Sequence, residues 1–97
     1  MDPAQRSQAI KAALEEGLDA QIVELVDLSD RHAGHAGAED GGGHFQVLVV
    51  SERFLGVNRV AAQRLVYAAL GDLMKTEIHA LSMRTLTPDE WALEKTR

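Results

Sequence analysis

The chain has four histidines, His32, His35, His44 and His79, and they are the side chains whose types and spacing best suit chemistry. His32 and His35 stand three residues apart in a stretch rich in glycine and alanine. Neutral imidazole binds zinc, copper, nickel and iron, and a pliable segment can bring one or both rings to a metal. The same pair reads equally as two solvated side chains flanked by small residues. His79 falls in a run of strand-like residues, where period-2 alternation places it on one face with Leu81 and Met83. It is then either a half-buried ring with one nitrogen hydrogen-bonded, or a ligand offered to a partner at the start of a strand. His44 opens another apolar run, faces away from Phe45, and reads as structural or peripheral.

Other kinds of chemistry find little support. The chain has no cysteine, so disulfides and thiolate zinc sites are excluded. An iron–sulfur cluster held by this chain alone is excluded for the same reason. Ser29, Ser51 and Ser82 lack the sharp strand-to-helix context of an activated nucleophile. Gly41-Gly42-Gly43 precedes a strand rather than a helix and makes no phosphate cradle. The carboxylates are scattered, and no acid/base pair stands out. The reading is therefore of a protein that is not an enzyme. Arg53, Arg59 and Arg64 surround a glycine-containing turn that leads into a helix and are the candidate nucleic-acid contacts. Against them stand the net charge of −5 and the lack of an apparent stacking platform, since only Tyr67 and Trp91 add ring surface nearby in sequence.

The elements that must position these residues follow from the hydrophobic pattern. Residues 3–18 carry Ile10, Ala13, Leu14 and Leu18 at helical spacing, with Pro3 in the first turn and Gly17 near the expected stop. Ile22 to Val26 reads as a strand with Val23 and Leu25 on one face. Residues 28–43 contain five glycines and almost no large apolar side chain. They read as a long flexible loop, of the kind that is more often functional than incidental. His44 to Ser51 is the second strand, expected to pair antiparallel with the first. Phe54-Leu55-Gly56 is a turn. Residues 59–75 read as one long helix with a buried stripe of Ala62, Leu65, Val66, Ala69, Leu70 and Leu73. Ile78 to Leu86 is a third strand. Thr87 then caps a short terminal helix, with Pro88 at its first position and Glu90 completing a capping box.

The order is α-β-β-α-β with a helical tail: a single α+β domain spanning residues 1–97, with an ordered core from about 5 to 91. Its helices are expected to cover one face of a three-stranded mixed sheet. With 45% apolar and 26% charged residues it has the composition of a folded, water-soluble domain. No run approaches the length of a membrane span, and the polar start has no apolar leader region. A cytoplasmic location is expected, or an organelle if a transit peptide has been removed.

Several segments, taken together, resemble the BolA family. They are Asp30-Arg31-His32-Ala33-Gly34-His35, His44-Phe45-Gln46-Val47, Val50-Ser51-Glu52-Arg53-Phe54-Leu55-Gly56, Arg64-Leu65-Val66-Tyr67 and Ile78-His79-Ala80-Leu81-Ser82. The ending Thr87-Pro88-Asp89-Glu90-Trp91 fits as well. The resemblance implies a fold similar to the type II KH arrangement. It also implies a partnership with a monothiol glutaredoxin, in which the two proteins and glutathione share a [2Fe-2S] cluster, used in cluster trafficking or iron sensing. His79 matches the family's invariant histidine. The second ligand comes from the loop between the first two strands: His32 aligns best, and His35 is the alternative. The protein alone would hold no cluster. Imidazole ligands would alter cluster charge and potential, as they do in Rieske centres. They must be neutral to bind.

Some BolA proteins are described as DNA-binding regulators. Many members carry a basic Arg-His-Arg where this chain has Ala62-Gln63-Arg64, which lowers the expectation of DNA binding here. A third reading is a stand-alone zinc or copper buffer built from His32, His35 and His44. Homodimerisation through a free sheet edge also remains open.

Overall fold

The computed structural model describes residues 2–29 and 43–96. Helix α1 runs Pro3–Leu18. Asp2 caps it by accepting from the amide of Gln5, whose side chain accepts in return from the amide of Asp2. Ile10, Leu14 and Leu18 form its buried stripe. The helix ends at Leu18, as the pattern over residues 3–18 predicts, and Asp19 caps it in the left-handed region at φ 50°. Gly17 also serves packing. A Cβ there would lie 2.8 Å from the Cβ of Ala69, on the helix that crosses α1.

Strands β1 (Ile22–Asp27) and β2 (Gly43–Val50) pair antiparallel, from Ile22 opposite Val50 to Asp27 opposite Phe45. A 3-10 turn over Glu52–Phe54 follows, capped by Ser51, and Gly56 takes φ +72° in the turn beyond it. Helix α2 spans Arg59–Leu70, with the Asn58 side chain capping the amide of Ala61. The single helix expected over 59–75 is in fact two. Gly71, at φ 53° and ψ −127°, breaks it, and a short α3 runs Leu73–Thr76. Glycine reaches that conformation readily, and its lack of a side chain removes the reason to continue the helix. Strand β3 (Ile78–Leu86) and helix α4 (Pro88–Lys95) complete the fold. The expected capping box between Thr87 and Glu90 is formed.

The sheet order is β1-β2-β3, with β2 and β3 parallel, so the sheet is mixed. A parallel neighbour requires a crossover, and α2 and α3 supply it. Phe45, Val47 and Val49 of β2 and Val23 of β1 are buried in one cluster with Ile10 and Leu14 of α1 and Val66 of α2. Leu65, Ala69 and Leu73 pack at its margin, as the helical stripe requires. Helix α4 reaches back to β3, where Glu94 accepts from Arg84 at 2.7 Å. Lys95 lies over the Trp91 ring, 5.5 Å from its centroid. Among the described residues no helix is long and apolar enough to cross a membrane.

Candidate functional site

The parallel ladder between β2 and β3 contains one irregularity, and His79 occupies it. Gly43 pairs with Ile78, but the next residue, His44, pairs with Ala80. One residue of β3 is therefore left over, as in a β-bulge, a feature over-represented beside functional sites because it re-aims a side chain. The bulge corrects the expected alternation. Ile78 is buried in the core, and Leu81 and Met83 pack against it, while His79 is exposed. Ile78 and Leu81 are three positions apart, so strict alternation cannot turn both inward; the extra residue makes it possible. His79 thus does not share the core-facing side with Leu81 and Met83.

The start of β3 is held from several directions. The amide of Gly43 donates to the carbonyl of Glu77 at 3.0 Å, and the amide of Glu77 donates to the carbonyl of Leu73 at 2.8 Å. Glu77 Oε1 accepts from Arg6 Nε of α1 at 3.1 Å, in an ion pair whose side chains are only 15% and 17% exposed. Opposite the bulge, the amide of His44 donates to Ser29 Oγ at 3.1 Å, and its carbonyl accepts from the amide of Leu28 at 2.8 Å. His44 is half-buried, in keeping with a structural place in the strand. Gly43 is tightly enclosed: a Cβ there would come within 2.6 Å of both the Phe45 ring and Ser29 Oγ. Glycine is the residue that lets β2 begin at this point, one position earlier than the apolar pattern indicates.

His32 and His35 lie outside the described residues. Of the described residues that flank them, Gly43 borders the segment carrying His79, and Ser29 borders β2. Gly43 is the register partner of Ile78, and Ser29 bonds the amide of His44. Among the described residues, no group of three or more His, Cys, Asp or Glu side chains converges to hold a metal ion. An exposed imidazole at the end of a sheet has the chemistry to donate a nitrogen to a metal ion when neutral.

The three arginines do not form one surface. Arg59, at the first position of α2, lines an open groove of about 400 Å³ between α2, the second half of β3 and the first turn of α4. Gln63, Arg84 and Glu90 line the same groove. Arg53 lines a separate cleft with Asp19 and Glu52, which offset its charge. Arg64 is exposed and lines neither. Arg84 was not a candidate from sequence. It alternates outward on β3, and only the return of α4 over the strand places it beside Arg59's groove.

The chain matches the family model described as BolA-like protein over residues 14–90. It belongs to the BolA-like family. It is 41% identical over 83 residues to BolA-like protein 1 of Mus musculus, an alignment covering 86% of this chain and 58% of the mouse protein. It is 39% identical over 82 residues to the DNA-binding transcriptional regulator BolA of Vibrio cholerae, covering 84% and 74%. The match to SufE-like protein 1 of Arabidopsis thaliana covers 88% of this chain and 24% of that protein. The chain thus spans little more than half of the mouse relative and about a quarter of the plant one. Among solved structures, the BolA domain of SufE1 from Arabidopsis thaliana superposes with a TM-score of 0.75 at 40% identity, covering 88% and 94% of the two chains. The solution structure of BolA1 from Mus musculus gives 0.76 at 36% identity, covering 98% and 73%. These similarities agree with the small α+β domain and mixed three-stranded sheet described above.

Proposed function

We propose that this protein is a non-catalytic partner of a monothiol glutaredoxin and donates histidine ligands to a [2Fe-2S] cluster that the two share with glutathione. His79 is one ligand, and His32 or His35 is the other. The observation that carries the reading is the exposure of His79 at the bulge, at the end of the sheet where β2 begins with Gly43. A cysteine-free chain enters such a cluster only through non-thiolate donors, so the thiolates come from the glutaredoxin and glutathione. The role is iron–sulfur trafficking or iron and redox regulation.

The test is to mix the protein with cluster-loaded monothiol glutaredoxin and follow visible absorption and circular dichroism. A new spectrum, lost in His79→Ala and changed in His32→Ala or His35→Ala, supports the reading. A spectrum indifferent to His79 removes it as a ligand.

A second reading is a DNA-binding regulator. It is favoured by the Vibrio cholerae relative, a DNA-binding transcriptional regulator by name, and by the groove in which Arg59 and Arg84 stand together. The net charge of −5 and the dispersal of Arg53, Arg59 and Arg64 weigh against it.

A further inference from the structure

Of the three ion pairs among the described residues, one differs from the others. Lys75–Asp72 is local and almost fully exposed, and Arg84–Glu94 is half-exposed between neighbouring elements. Such pairs contribute little. Arg6–Glu77 joins residues 71 apart in sequence, and both side chains are largely withdrawn from water. Glu77 is also the junction of the site. Its amide closes α3 on Leu73, its carbonyl receives the first bond of the β2–β3 ladder from Gly43, and its carboxylate holds α1. Two residues later the chain leaves the ladder at His79. A bulged residue has no partner of its own, so its direction is set by what is fixed on either side. On one side that is the His44–Ala80 pair, and on the other it is the Gly43–Ile78 pair, whose Gly43 amide is held by the Glu77 carbonyl.

We propose that Arg6 is a positioning residue for His79, acting through Glu77. With the cation removed, a carboxylate with 17% exposure is left without its counter-charge and is driven toward water. That motion pulls on the Glu77 carbonyl, loosens its bond to Gly43, and frees the bulge that aims His79. The N-terminal helix thereby governs the ligand at the far end of the sequence. The inference deepens the proposed ligand role of His79, but its structural half stands apart from that role.

The experiment uses the apo protein first. Backbone amide hydrogen exchange is followed by NMR in the wild type, Arg6→Met and Arg6→Lys, together with the ring-nitrogen signals of His79. The expected result in Arg6→Met is exchange accelerated about tenfold at Gly43, Ile78 and Ala80, with Val47 and Val66 at wild-type rates and the His79 ring signals shifted. Arg6→Lys, which keeps the charge, stays near wild type. Unchanged exchange at Gly43, Ile78 and Ala80 overturns the proposal. So does acceleration spread evenly to Val47 and Val66, because Arg6 then only stabilises the whole fold. Arg6→Lys behaving like Arg6→Met overturns it as well. The variants are then mixed with cluster-loaded monothiol glutaredoxin, where Arg6→Met is expected to give a weaker, shorter-lived shared spectrum than Arg6→Lys. If the local exchange changes as expected but wild type itself forms no shared spectrum, the positioning holds and the ligand reading fails.

Discussion

His44 pairs across the sheet with Ala80, not with His79, and this offset of one residue leaves His79 outside the ladder and exposed. Because the ring makes no part of the core, its loss should cost the fold little. His79→Ala is expected to unfold in denaturant within about 0.5 kcal/mol of wild type, while losing the spectrum formed with cluster-loaded glutaredoxin. A loss of several kcal/mol would mean that the ring packs, contrary to its exposure.

The opposite behaviour is expected one strand away. Gly43→Ala adds a methyl group where 2.6 Å separates the site from the Phe45 ring and Ser29 Oγ. Phe45 is fully buried and cannot yield without disturbing the core. The substitution should destabilise by about 1–3 kcal/mol, the usual cost of overpacking. It should also perturb the His44 amide through Ser29, which a proton–nitrogen correlation spectrum would detect. Wild-type stability would show that the start of β2 is less constrained than the packing indicates.

Gly17 offers a test of the helix layer. Its would-be Cβ meets the Cβ and Cα of Ala69 at 2.8 and 3.3 Å. Gly17→Val should force α1 away from α2 and cost about 1–3 kcal/mol in chemical denaturation. Gly17→Val combined with Ala69→Gly should recover part of that loss, since the second change vacates the same space. No recovery would separate the two positions energetically.

The DNA-binding alternative has its own signature. If the groove containing Arg59 and Arg84 follows a phosphate backbone, affinity must fall steeply with salt, and Arg59→Ala and Arg84→Ala must each lower the log–log slope by about 1. Arg53→Ala, in another cleft beside Asp19 and Glu52, should leave the slope alone. Binding that ignores salt, or is lost equally in all three variants, contradicts the alternative.

Much of this arrangement was legible in the sequence because local signals and burial agree. The span of α1, the limits of β3 and the Thr87–Glu90 capping box are set by caps and by hydrophobic period, and they fall where those signals put them. What escaped was non-local. Gly17 marks the end of α1 in the sequence, but nothing there shows that Ala69 presses on it. Gly71 was hidden inside a long apolar period, although its φ of 53° divides the helix. At His79 the period itself misled: alternation assumes one residue of β3 per residue of β2, and the bulge breaks that count. Arg6 and Glu77 are ordinary surface-type residues in sequence and are joined only when α1 is laid beside the start of β3.

The central claim is that this chain donates imidazole nitrogen to a cluster held with a glutaredoxin. The most direct measurement labels this chain alone with nitrogen-15, forms the complex with unlabelled cluster-loaded monothiol glutaredoxin, reduces it, and records pulsed electron paramagnetic resonance. The account predicts strong nitrogen-15 couplings from two directly bound imidazoles, one of which is lost when His79→Ala replaces the wild type. A complex that forms and shows no such coupling from the labelled chain would contradict it.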